Sequence, residues 1–237
     1  MPVNTKFRSD AEEIMDDFAL EGNVLSEALD KIAGINRFLG GNKITIEGLA
    51  WLLKRSQQTS EISILDVGCG NGDMLRTLAD YGAKKGLKFK LVGMDANAFT
   101  IDYARKLSTD YNNIQYVCAD IFNELKQARK YDVILCTLTL HHFKDDEILS
   151  LLTGFRKQAS MGIVINDLHR SKLAYYLFIA VCKVFKLNAM SKADGLVSIL
   201  RGFKMNEMRN YADELNIENY ILRWRWAFRY QWIIPSI

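Results

Sequence analysis

Apolar residues come in two rhythms along this chain. Short runs such as Ile62–Val67, Phe89–Met94, Ile114–Cys118, Asp132–Leu138 and Gly162–Asn166 read as buried strands. Between them, stretches with helical spacing run from about Gly72 to Lys85, Ala98 to Ser108, Phe122 to Ala128 and Asp145 to Ala159. Strands alternating with helices imply a parallel sheet of the α/β class. Beyond the fifth strand the pattern predicts an apolar helix, Leu173–Leu187, then a polar connector, Asn188–Asp194, and a short segment, Leu196–Leu200. A last helix is expected over Lys204–Leu215, and two terminal strands near Asn219–Trp224 and Ala227–Ile234 bring the sheet to seven.

Ahead of the first strand lie three pieces with helical spacing: from Asp10 through Leu20, Val24–Leu39 and Thr45–Gln57. The pair Gly40-Gly41 reads as a C-cap. These pieces fall outside the alternating pattern and are expected to form a helical cap over residues 1–57, with residues 58–237 as the core of one domain. Residues 1–9 are expected to be loose. The acids Asp10, Glu12, Glu13, Asp16 and Asp17 read as a solvated helix face, and no metal site is expected.

Composition adds limits. With 237 residues, 49% hydrophobic and 25% charged, the chain suits one sizeable globular domain. A net charge of +3 selects no polyanionic partner. Cys69, Cys118, Cys136 and Cys182 lack paired spacing and read as small buried thiols in a reducing, cytoplasmic setting. The polar, acidic first thirty residues do not read as a signal peptide. The Leu173–Val181 run is too short to span a bilayer.

The chemistry centres on Ile64–Leu75, ILDVGCGNGDML. A buried strand ending on Asp66 turns through Gly68, Gly70 and Gly72 into a helix, the arrangement of a nucleotide site. Its pattern is D-x-G-x-G-x-G. Asp73 stands where a dinucleotide-binding turn places its third glycine, and its charge would repel a diphosphate. No Gly-Lys-Ser/Thr follows, so a P-loop is excluded. The stretch resembles motif I of the class I S-adenosylmethionine-dependent methyltransferases. That resemblance implies a Rossmann-like fold: a seven-stranded, mostly parallel sheet with an antiparallel C-terminal strand. It also implies S-adenosylmethionine as methyl donor and S-adenosylhomocysteine as product.

Further matches extend it. Asp95 lies 23 positions after Gly72 (95 − 72) and matches the acid that binds the ribose hydroxyls. Asp120-Ile121 matches the pair that holds the adenine, with Ala96 or Met94 at its flank. Tyr131–Phe143, YDVILCTLTLHHF, is similar to the family's fourth motif in small-molecule members, with Thr137 beside the sulfonium. The proline-containing signatures of nucleic-acid-methylating members are absent there. Met15-Asp16-Asp17, Ile35–Gly40, Ile165–Ser171 and Asp194–Phe203 resemble a narrower bacterial subset acting near polyketide-type or quinone-type pathways. This implies an aromatic or lipid-like acceptor, most simply methylated at oxygen, with carbon methylation of a quinone or lipid ring as the alternative. RNA methylation and a non-catalytic cofactor-binding protein are more distant readings. Arg37 in the cap reads either as pairing with the donor's carboxylate or as a surface arginine.

Methyl transfer from a sulfonium needs alignment above all, and a base where the acceptor is a hydroxyl. The chain's three histidines, His141, His142 and His169, all fall at the ends of the fourth and fifth strands and are the candidate bases. Asp167, two residues before His169, reads either as orienting an imidazole or as capping the next helix. The apolar helix reads first as core packing. Its alternative use is to line a hydrophobic acceptor pocket with Tyr175, Tyr176, Phe178 and Ile179, or to act as a peripheral membrane lid. In Arg223–Trp232, aromatic and basic residues alternate. Strand geometry turns Trp224, Trp226, Phe228, Tyr230 and Trp232 inward, and nucleic-acid binding is not expected.

Overall fold

In the computed structural model, residues 3–56, 61–127 and 129–236 are described. The helix ends expected at Gln57 and Ala128 lie outside them. Two helices, α1 (Asn23–Phe38) and α2 (Gly41–Arg55), precede strand β1 (Ile62–Val67). Then α3 (Asp73–Lys85), β2 (Phe89–Asp95), α4 (Ala98–Leu107), β3 (Ile114–Cys118), α5 (Ile121–Glu124) and β4 (Tyr131–Thr137) follow in turn. The chain continues through α6 (Asp145–Gln158), β5 (Ala159–Leu168), α7 (Lys172–Val184), α8 (Ala189–Arg201) and α9 (Met205–Glu214). It ends with β6 (Ile221–Arg225) and β7 (Arg229–Pro235).

The strands form one sheet in the order β3-β2-β1-β4-β5-β7-β6. Pairing is parallel from β3 to β5, and β7 runs antiparallel to both neighbours. This is the seven-stranded arrangement that the alternating pattern implies. Both sheet faces are buried, which explains the near-continuous apolar strands. Ile64, Leu91, Val133 and Val164 face α2, α3 and α4 through Leu49, Leu52, Leu75, Leu78 and Ile101. Leu65, Val92, Ile134, Ile163 and Trp232 face α6 and α9 through Ile148, Leu152, Phe155 and Met208. Strand order reverses between β1 and β4, so their carboxyl ends open the crevice where an α/β sheet binds ligands.

The N-terminal region departs from the expected three-helix cap. α2 lies flat on the sheet: a Cβ on its Gly48 would stand 2.6 Å from Val164 Cγ1. Its apolar face is complementary to β5, so it belongs to the core. α1 is the piece that covers the crevice. Residues 10–20 form no helix beyond a single 3₁₀ turn, Ile14–Asp16. Ile14 and Phe18 stay exposed, so no apolar stripe holds a helix there. The backbone N–H groups of Ile14 and Met15 instead donate to the two carboxylate oxygens of Asp194, at 2.8 and 3.1 Å.

The polar connector and the segment after it are one helix, α8, whose N-cap Asn188 accepts from Ser191 N–H at 2.8 Å. α7 packs on α8 closely enough that a Cβ on Gly195 would strike the Phe178 ring at 2.3 Å. Core packing on all sides does not hold for α7. Its outer residues Leu173, Tyr176, Leu177 and Val184 are exposed, and only Ala174 and Cys182 are buried. No helix among the described residues is long and apolar enough to cross a membrane.

The terminal aromatic residues also divide. Trp232 and Tyr230 are buried, whereas Trp224 and Trp226 are exposed, because β6 is an edge strand and Trp226 sits in the turn to β7. Arg229 is buried and Arg225 pairs with Glu47, so the alternating run presents no continuous basic surface. Cys69, Cys136 and Cys182 are buried as expected, but Cys118 is exposed at the end of β3.

Candidate active site

The loop after β1 and the neighbouring strand ends enclose one cavity of about 1620 Å³. Gly70 adopts φ +50°, and a Cβ there would meet only Leu29 Cδ2, at 3.6 Å. Its backbone therefore borders open space. Gly72 is different: a Cβ would stand 2.0 Å from the Tyr116 hydroxyl, so this glycine serves the packing of α3 on β3. Gly68 is closed off by Thr139 in the same way.

Asp95 braces the loop. Its Oδ2 accepts the Gly70 N–H at 3.1 Å and its Oδ1 accepts the Asn97 N–H at 3.0 Å. Asn97, not Asp95, caps α4. Asp120 does cap a helix: its Oδ1 accepts from Phe122 and Asn123. Asp66, Asp95, Ala96, Asp120, Ile121 and Thr137 all reach the same cavity wall. Thr137 hydrogen-bonds the Thr45 hydroxyl at 3.1 Å.

Arg37 does not line the cavity. Its guanidinium donates to Asp73 Oδ1 at 2.7 Å and is 66% exposed. Asp73 sits in the first turn of α3 and draws both Arg37 and the Asn42 amide to itself. The local carboxylate is thus the partner of this arginine in the structure.

Two carboxyls at the cavity floor share an electrostatic problem. Burial and the nearby Asp95 charge push the Asp66 carboxyl up to about 8. Its Oδ1 is buried without a hydrogen-bond partner. Asp95 is also raised by burial, against the pull of its Asn97 and Gly70 hydrogen bonds. An acid raised in the folded state holds a proton that the unfolded chain releases near 3.8. The ligand-free protein therefore loses stability as pH rises from about 4 to about 8. Asp66→Asn should flatten this slope and raise Tm at pH 8, as differential scanning fluorimetry across that range would show. Equal slopes for both proteins would mean that Asp66 carries its charge at no cost.

Also on the cavity wall, His141 and His142 stack with ring centroids 4.3 Å apart. His141 Nδ1 lies 2.6 Å from Asp167 Oδ1, and Asp167 Oδ2 accepts the His141 N–H at 3.2 Å. Asp167 therefore orients an imidazole, that of His141 and not of the nearer-in-sequence His169, and Ser171 is the N-cap of α7. Burial favours a neutral Asp167, but the His141 ring overrides it and holds the carboxyl below its ordinary value. His142 Nδ1 lies 2.6 Å from Asp16 Oδ1. Burial would raise Asp16 too; hydrogen bonds from His142 and Arg201 keep it well below the usual carboxylate range.

Glu13 and Asp16 are thus not a solvated face. Glu13 Oε1 is buried 3.7 Å from His141 Nε2 and 3.9 Å from His142 Nδ1, and the Ser198 hydroxyl donates to its other oxygen at 2.7 Å. Arg201 binds Asp16 and the carbonyls of His141 and His142. The spacing of Glu13, Asp16 and Arg201 carried no signal for this cluster, since it forms only when residues 10–17 fold against α8. His169 reaches the cavity from another side. Its Nδ1 accepts the Trp224 indole N–H at 3.2 Å, and its ring packs on Tyr230. Burial, with Lys204 and Arg170 nearby, lowers its affinity for a proton. Of α7, the residues on the cavity wall are Ala174, Phe178 and Val181; Tyr175, Tyr176 and Ile179 are not among them.

Residues 64–160 match a family model described as a methyltransferase domain. Among curated relatives, a ubiquinone biosynthesis O-methyltransferase of Rickettsia bellii is 31% identical over 119 residues, covering 50% of this chain and 47% of that protein. The Coxiella burnetii protein of the same name is 35% identical over 126 residues, covering 52% and 51%. The match spans about half the length of these relatives. The plantazolicin methyltransferase BpumL in complex with S-adenosylhomocysteine superposes with a TM-score of 0.65 at 20% identity, covering 90% of this chain and 89% of that one. The magnesium protoporphyrin IX methyltransferase of Synechocystis with bound S-adenosylmethionine gives 0.57 at 13% identity, covering 94% and 89%. This chain has the class I methyltransferase fold, and its residues 64–160 match a methyltransferase domain.

Proposed function

We propose that this protein transfers a methyl group from S-adenosylmethionine to an oxygen of a small, hydrophobic or aromatic acceptor. The observation that carries this reading is the single cavity running from the Gly70 loop to the His141–His142 cluster. At about 1620 Å³ it exceeds the roughly 300–1,000 Å³ of an ordinary ligand pocket, so it has room for donor and acceptor together.

The residues at the loop end fit the donor. The exposed backbone at Gly70 makes a cradle that a side chain would fill, and the partnerless Asp66 Oδ1 and the raised Asp66–Asp95 pair favour a cationic, hydrogen-bond-donating ligand. In this reading Asp95 takes the ribose hydroxyls, Asp120 and Ile121 hold the adenine with Ala96 at its flank, and Thr137 borders the reacting centre. When bound, the donor supplies an activated methyl group on a sulfonium. At the other end His142 receives the acceptor's proton, with Asp16 fixing its Nδ1 and leaving Nε2 free for that task. His141, more deeply buried, holds the loop through Asp167. Ala174, Phe178, Val181 and Phe228 give the acceptor an apolar wall.

Oxygen as the acceptor atom is supported by the names of the curated relatives and by a base beside the cavity; nothing there favours carbon methylation. Incubation with methyl-labelled S-adenosylmethionine and a panel of phenols, catechols and quinols tests the reading. O-methyl ethers are expected by mass spectrometry. Ring-methylated products, or label transferred only to RNA, would overturn it.

A further inference from the structure

Glu13 and His141 pose a question that proton transfer alone leaves open. Glu13 Oε1 and His141 Nε2 are both buried, and neither has a hydrogen-bond partner. Buried polar atoms without partners are costly and rare. Each faces the other across 3.7 Å, beyond hydrogen-bond reach. A shared proton would draw them together; a shared cation would hold them apart.

We infer that Glu13, His141 and His142 form a site for one divalent first-row transition ion, of which Zn²⁺ is the type. The three residues offer ligand atoms within 4.8 Å of one another. Tetrahedral zinc with bonds of about 2.0–2.2 Å places its ligands about 3.4 Å apart. The 3.7 and 3.9 Å separations need to close by only a few tenths of an ångström, and His142 Nδ1, 2.6 Å from Asp16 Oδ1, exchanges that contact for the ion. Two imidazoles and one carboxylate are a catalytic zinc set that leaves a position open.

The surroundings agree. Asp167 grips His141 Nδ1 at 2.6 Å, which directs Nε2 toward Glu13. A carboxylate behind a ligand histidine is the usual outer support of such sites. All three ligand residues lie on the cavity wall, so the open position faces the space assigned to the acceptor. There the ion would polarise an acceptor oxygen and take over the activating role that His142 has in the metal-free site, an inference that rests on the methyl-transfer reading above.

The test titrates the chelator-stripped full chain with Co²⁺ and follows its visible ligand-field spectrum. One equivalent should bind with the intense bands of a four- or five-coordinate site, and Zn²⁺ should displace it. Glu13→Gln, which keeps the side chain's shape, should weaken binding by more than about 100-fold; Asp167→Asn should weaken it roughly 10- to 100-fold without removing a ligand. Circular dichroism confirms that each variant is folded. No stoichiometric binding by folded wild-type protein, or undiminished binding by Glu13→Gln, overturns the site. S-adenosylhomocysteine calorimetry on the stripped protein runs alongside, so that loss of the metal site and loss of the donor site are read separately.

Discussion

Gly70→Val should lower affinity for S-adenosylhomocysteine by at least about 100-fold, a loss of about 2.7 kcal/mol in isothermal titration calorimetry. Two effects combine. The backbone at φ +50° strains any β-branched residue, and the added methyls enter the space that Gly70 leaves open to the cavity. The substitution should spare the fold better than Gly72→Val, whose side chain would collide with Tyr116 inside the core. Asp95→Ala should act in the same direction by a different route. It removes the ligand-facing carboxylate and also releases the Gly70 N–H that the carboxylate holds. Affinity unchanged in both variants would place the nucleotide elsewhere.

His142→Ala should reduce turnover by about 10²- to 10⁴-fold, the range for loss of a positioned base, while leaving S-adenosylhomocysteine affinity within about twofold. His142 is the more accessible of the adjacent histidines, with 27% of its side chain exposed against 2% for His141. It can therefore meet a substrate that His141 cannot. Single-turnover measurements at saturating donor would isolate the chemical step. A variant that binds the donor normally and turns over at the wild-type rate would remove His142 from the reaction. His169→Ala should have a smaller effect, because its ring is engaged with Trp224 and Tyr230 and lacks a carboxylate partner among the described residues.

The donor half of the cavity was legible in the sequence because its determinants are local. A strand end, the glycines that follow and an acid at each neighbouring strand terminus are fixed by short-range geometry and by parallel-sheet topology. The acceptor half was not, because it is assembled from distant segments. Asp16 reaches His142 across 126 residues and Glu13 reaches Ser198 across 185. Five acids in eight positions looked like a wetted helix surface, yet the helix never forms: Asp194 captures the amides that would have begun it. Arg37 shows the reverse error. Its position was read well enough to place it near the loop, but Asp73, read only as an obstacle to diphosphate, turned out to be its partner. α7 was misjudged for a third reason. Its all-round apolarity normally signals burial, whereas here one side lines the cavity and the other stays exposed.

The exposed side of α7 adjoins Phe38, whose ring packs edge-on against Phe185 with centroids 5.5 Å apart.

Calorimetric titration of the wild-type chain with S-adenosylhomocysteine tests the central claim most directly. One site per chain is predicted, with affinity that improves as pH rises and Asp66 ionises. A folded protein that gives no binding heat and no thermal shift with this ligand would contradict the account at its root.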